Sequence, residues 1–224
     1  MIELEAMMNH YGSEYIDNNL DKRTQELVIL ATLTATQAYP QVKERTAKAV
    51  AEGVSAAEIQ EAIFHAAPYC GYTKAINAMV AANEAFAEMN IELPKSQATV
   101  TDDNRYEKGL AVQRSIFGPQ IGTITDDMSD DQKVITKYLS DICFGDFYTR
   151  TALDVKDREI ITLSVLTANG GCESQLAAHT MGNLSVGNSK DKILAAILLC
   201  VPYNGFPRTL NAINAAKGAF PENK

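Results

Sequence analysis

The sequence lacks most of what would mark a membrane or nucleic-acid protein. No stretch approaches the roughly 20 consecutive apolar residues of a spanning helix. The first ten residues carry Glu3 and Glu5 where a secretion signal would place positive charge ahead of an apolar run. A cytoplasmic protein with no membrane partner is expected. Positive charge is short as well: 20 Lys and Arg stand against 28 Asp and Glu, a formal charge of -8. Neutralising phosphates needs the opposite balance, which excludes nucleic acid as a main partner. The four cysteines, Cys70, Cys143, Cys172 and Cys200, include no Cys-x-x-Cys pair, so neither a zinc site nor a disulfide framework is indicated. Runs of Val, Ile and Thr alternating with period two are also missing, and with them the signature of half-buried strands.

What is present is a chain written twice. Leu20 to Ala35 lies over Leu153 to Ala168 at a shift of 133 residues with seven identities, Glu26 and Glu159 among them. Upstream, Tyr11-Gly12 and Tyr15 meet Phe144-Gly145 and Tyr148 at the same shift. Downstream, Pro68-Tyr69-Cys70-Gly71 meets Pro202-Tyr203-Asn204-Gly205 at a shift of 134. One residue is therefore inserted in the loop around Asn169 to Cys172, and Gly53 and Gly187 already obey the second shift. This places Arg45 opposite His179 and Ala38 opposite Cys172, so the copies are alike in plan and unequal in chemistry. The polar run with Pro94, Thr101 and Asp102 reads as a linker, giving a first repeat over 1–91, a linker over 92–104 and a second repeat over 105–224.

Apolar spacing within each copy is helical. Ser55 to Glu58 and Ser129 to Gln132 read as capping boxes, Pro40 suits a first helical turn, and Gly53 and Gly187 suit helix C-termini. Leu27 to Leu33 and Ile160 to Leu166 are apolar nearly all round, which predicts one buried central helix per copy. Tyr72 to Asn90 and Phe206 to Phe220 read as closing helices. The expected fold is an all-α helical bundle duplicated within one chain, its halves packed about a pseudo-twofold axis.

Three residues carry candidate chemistry. His179 follows Cys172 by seven residues, about two helical turns, so both face one side of a helix and can address one cavity. Cys172 follows Gly170-Gly171 near a helix N-terminus, where the macrodipole favours thiolate. Glu159 is either simple charge in a first helical turn or, buried against Ile160 and Leu163, a proton carrier. His10 and His65 read as structural, Cys143 and Cys200 as core, and Cys70 as a residue that could line a cavity.

The segment Phe144-Gly-Asp-Phe-Tyr148-Thr-Arg150-Thr-Ala-Leu153-Asp154 through Arg158-Glu159 continues into the Leu166 to Gly171 loop, His179, Gly187 and Pro202-Tyr203-Asn-Gly205. Together these residues resemble the carboxymuconolactone decarboxylase family, which includes the alkylhydroperoxidase D proteins. The resemblance implies an all-helical fold that assembles as homo-oligomers, here a trimer of duplicated chains. It carries two activities. In the peroxidase branch Glu159, Cys172 and His179 match the catalytic Glu, peroxidatic Cys and His, while Gln175 stands where the second thiol would be. An external thiol reductant, or Cys70, would then complete the cycle. In the decarboxylase branch, which uses no cofactor or metal, His179 matches the catalytic His, and Arg150, with Tyr203, would hold the substrate's carboxylate. That branch's tryptophans are absent. The sequence thus favours thiol-dependent peroxidase chemistry at Cys172, with decarboxylation of a cyclic lactone acid as the alternative and an idle helical oligomer with a binding role as a third reading.

Overall fold

The computed structural model describes residues 2–11 and 14–221, and among them every regular element is helical. Gly12, one of the matched repeat positions, lies outside the described residues. In the first repeat, α1 (Ile2–Met8), a 3-10 turn and α2 (Glu14–Asn19) lead into α3 (Lys22–Thr36), α4 (Tyr39–Ala51), α5 (Ala56–Cys70) and α6 (Tyr72–Glu88). Then come α7 (Arg105–Phe117), α8 (Asp130–Tyr138) and a π-helical segment, Leu139–Tyr148. The second repeat continues with α9 (Val155–Asn169), α10 (Glu173–Ser185), α11 (Lys190–Leu199), α12 (Val201–Asn204) and α13 (Phe206–Ala219). No described helix is long and apolar enough to cross a membrane.

The element bounds reproduce the two shifts. α3 and α9 each span 15 residues, α4 and α10 each span 13, and the connection grows from Gln37–Ala38 to Gly170–Cys172, where the insertion was expected. Gln37 meets the turn in the left-handed region at φ 62°, and glycines occupy that region in the longer loop. Local signals act as read. Ser55 Oγ accepts from Glu58 N–H at 3.3 Å while Glu58 Oε2 accepts from Ser55 N–H at 2.9 Å, and Gly53 and Gly187 leave their helices at φ 86° and 91°.

Burial explains why the halves are inseparable. α3 and α9, apolar on nearly every face, pack on each other, and each contributes to the other's core. Leu153, Ile161, Val165 and Ala168 join the first repeat's cluster, while Leu20 and Val28 join the second's. Full burial of side chains such as Leu30, Ile161 and Leu163 contributes about 1.5–3 kcal/mol each.

The second repeat carries a cover that the described part of the first does not. α7 lies along the π-helical segment, and the approach is so close that a Cβ on Gly109 would sit 1.9 Å from the Ser140 carbonyl oxygen. The π-helical winding departs from the match at Tyr15: Tyr148 turns into the core, whereas Tyr15 O–H reaches out to Asp191 Oδ1 at 3.0 Å. Residues 91–104 form no helix. They run against the second repeat, where Thr99 Oγ1 donates to the Thr149 carbonyl at 2.8 Å.

Candidate active site

Glu159 is completely buried in the first half of α9, and both its carboxylate oxygens are engaged. Oε2 lies 2.9 Å from Nδ1 of His179 on α10, and Oε1 accepts from the Tyr148 hydroxyl at 2.6 Å. A carboxylate only accepts, so Nδ1 carries the proton and Nε2 is the atom left for other business. Nε2 has no hydrogen-bond partner among the described residues. The imidazole packs at right angles to two aromatic rings, Tyr69 at 5.5 Å and Phe117 at 5.2 Å between ring centres. Asn183 ties the Glu159 and His179 carbonyls together at 2.9 and 2.8 Å, fixing α9 against α10.

The surrounding hydrogen bonds run in one direction. An arginine has no acceptor, so Arg158 Nη1 donates to His65 Nδ1 at 3.3 Å, and His65 Nε2–H donates to Thr162 Oγ1 at 3.0 Å. Thr162, with its proton free, points to the Tyr148 oxygen at 3.1 Å. Tyr69 O–H points to the same oxygen at 3.0 Å, and the Cys143 thiol points to Tyr69 at 3.5 Å. Every chain ends on Glu159. Burial pushes the Tyr148 and Tyr69 phenols well above their usual range, helped for Tyr148 by the Glu159 charge and for Tyr69 by Cys143 and Glu159. They stay neutral donors.

Three members of this network come from the first repeat. Glu61, His65 and Tyr69 are four residues apart on α5 and line one face of it. Glu61, fully buried, accepts from Arg158 Nη2 at 3.1 Å and takes Arg150 on both oxygens, from Nε at 2.9 and 3.0 Å. Sequence reasoning passed over Glu61 and Tyr69 as site residues and read His65 as structural. A polar stripe at helical spacing through an alanine-rich helix was the signal available.

Residues 3–84 and 135–218 each match the carboxymuconolactone decarboxylase family. The chain belongs to that family. The 4-carboxymuconolactone decarboxylase of Acinetobacter baylyi is 27% identical over 124 residues, 55% of this chain and 92% of the relative. The nitrosuccinic acid decarboxylase of Metarhizium robertsii is 30% identical over 79 residues, 35% of this chain and 55% of the relative. The chain thus spans about half the length of the second relative.

Within this carboxymuconolactone decarboxylase family chain, the structure separates residues that the sequence had grouped. Cys172 does head α10, as expected, but its side chain does not join His179. Its thiol donates back to the Leu166 carbonyl at 3.2 Å, it packs on the second core cluster, and it makes no hydrogen bond to His179 or Glu159. Burial, and then the neighbouring Glu173 charge, raise the Cys172 pKa, which runs against the expected thiolate. Cys70 sits on the other core cluster with its thiol pushed up to about 11 by burial. All four cysteines are free. Arg150 is held by Glu61 and stacks on Phe64, at the wall of an apolar cavity of about 530 Å³ rather than beside His179. Tyr203 lies over the first repeat, against Arg45 and Leu33. Its repeat partner Tyr69 takes the place beside His179.

Proposed function

We propose that this chain decarboxylates a small carboxylated substrate, with His179 as general acid and Glu159 as the group that holds it. The observation that carries the reading is the buried Glu159–His179 pair at 2.9 Å with Tyr148 on the other carboxylate oxygen. The names of the two relatives, a carboxymuconolactone and a nitrosuccinic acid decarboxylase, share a chemical demand. A carboxylate leaves as carbon dioxide, and the electron pair of the broken carbon–carbon bond moves into a neighbouring acceptor of the substrate, a conjugated lactone or a nitro group. The resulting delocalised anion is then protonated at carbon. Nε2–H of His179 supplies that proton, and solvent restores it. Glu159, accepting from Nδ1–H, fixes the ring so that Nε2 is the atom that delivers the proton, and the Tyr69 and Phe117 rings hold the imidazole between them. Arg150 acts as a positioning residue: through Glu61 and Arg158 it fixes α5, and so the place of Tyr69 and His65.

The peroxidase reading rests on Cys172, half-buried at the start of α10. A thiol with a raised pKa whose proton is spent on a backbone carbonyl is a poor nucleophile at neutral pH, which is why decarboxylation is preferred. Carbon dioxide release from 4-carboxymuconolactone and nitrosuccinate, measured beside peroxide consumption, separates the two. His179→Ala is expected to lose about 10²- to 10⁴-fold in kcat/KM for decarboxylation and Cys172→Ser to lose almost none. Peroxide turnover abolished by Cys172→Ser, with no carbon dioxide release from the unaltered protein, would overturn the proposal.

A further inference from the structure

The first repeat retains the framework of the Glu159–His179 site with different chemistry and without its cover. Glu26, buried on α3, occupies the place of Glu159, and Arg45 on α4 stands where His179 stands on α10. Arg45 grips both Glu26 oxygens, through Nε on one and Nη2 at 2.8 Å on the other. In the second repeat, Ile116 and Phe117 of α7 press on Gly182 and close the site. Lys48 is the first-repeat equivalent of Gly182, and there a cavity of about 270 Å³ opens between Leu33, Arg45, Lys48 and Tyr203.

The cavity gathers hydrogen-bond donors that the protein leaves unused. Arg45 Nη1, the Lys48 ammonium and the Tyr203 hydroxyl have no hydrogen-bond or ion-pair partner among the described residues. Gln41 adds an amide at the rim. Glu44, the acid at the same rim, is exposed and forms no ion pair with Lys48 one turn later. Because Arg45 is locked by a buried carboxylate, its free edge is pre-organised, and little freedom is lost when it meets an anion. Leu33 and Met8 give the cavity an apolar side, which suits a carbon skeleton better than a bare inorganic anion.

We propose that this cavity is a second, non-catalytic binding site for a small organic carboxylate. The carboxylate is taken by Arg45 Nη1, Lys48 and the Tyr203 hydroxyl, with the carbon skeleton against Leu33 and Met8. Arginine does not release its proton in the accessible pH range, so a ligand held here binds without being turned over. The site is independent of the decarboxylase reading, since none of its residues belongs to the Glu159–His179 network.

The test is calorimetric titration of the full chain with benzoate and, separately, with inorganic phosphate. Running it in the His179→Ala background removes the other site's imidazole and separates this proposal from the function of that site. The expected result is one benzoate per chain in that background, weakened about three- to tenfold by Lys48→Ala and by Tyr203→Phe and reduced by added salt. Both side chains are partly exposed and unpaired, so neither substitution threatens the fold. Arg45→Lys, which retains a charge for Glu26, is expected to weaken binding further. Three results would each overturn the proposal: benzoate binding lost with His179→Ala alone, binding indifferent to Lys48→Ala and Tyr203→Phe, or phosphate binding here in preference to benzoate.

Discussion

Gly182 offers a sharp test of the site, because one added methyl group reaches the chemistry without touching a reacting atom. Gly182 lies inside α10, three residues after His179, with a helical backbone that alanine adopts more readily than glycine. On propensity alone Gly182→Ala should stabilise the chain by about 1 kcal/mol. The surroundings reverse this. A Cβ built at Gly182 falls 2.6 Å from Glu159 Oε2, 2.9 Å from Phe117 Cε1 and 3.1 Å from Ile116 Cγ2. The carboxylate must retreat by roughly half an ångström, and the oxygen displaced is the one that holds His179 Nδ1. Overpacking costs about 1–3 kcal/mol, so the net change is expected to be destabilising. A misplacement of this order costs up to about 10²-fold in rate, and the loss should appear in kcat/KM for carbon dioxide release. Gly218→Ala is the matched control: it too lies within a helix, α13, and its added Cβ meets nothing within 4 Å. It should gain stability and leave activity unchanged. If Gly182→Ala instead behaves like Gly218→Ala in both the melting curve and the rate, Glu159 does not hold His179 in the working enzyme.

Two further outcomes concern the buried network. Glu61→Ala strands the guanidinium groups of Arg150 and Arg158, the latter fully buried, and should cost about 3–5 kcal/mol in chemical denaturation; a loss under about 1 kcal/mol would show that water reaches the cluster. Burial, followed by the Arg158 and His179 charges, holds His65 well below its usual 6.5. As pH falls below about 6.5 the unfolded chain takes up a proton that the folded chain refuses, so stability is lost on acidification, by up to about 1.4 kcal/mol per pH unit. Urea denaturation at pH 7.5 and 5.5 should show a larger acid loss for the unaltered protein than for His65→Gln, and equal losses would mean that His65 is protonated in the fold.

The sequence determined what depends on local pattern and on self-comparison. The helices follow from apolar spacing and from caps such as Ser55–Glu58, which act within a few residues. The repeat, its two shifts and the equivalence of Arg45 with His179 follow from identities along the chain, and the Arg45–Glu26 pair bears the equivalence out. Glu159 was legible as a candidate from its place at the opening of the buried helix, and His179 from its spacing after Cys172 and from the family resemblance.

Tertiary structure alone decided which of these residues meet. Cys172 and His179 share α10, yet Cys172 is the residue before its first turn. There the backbone has left helical geometry, at φ -132° and ψ 40°, so the seven-residue spacing no longer sets the direction of its side chain. The thiol turns back to Leu166. Tyr69 and Tyr203 are equivalent in sequence, but packing of the two repeats sends each across to the other repeat's site, so the tyrosine beside His179 is the one 110 residues earlier in the chain. A pairing between distant segments is fixed by the docking of α5 against α9 and the π-helical segment, and no local periodicity records it.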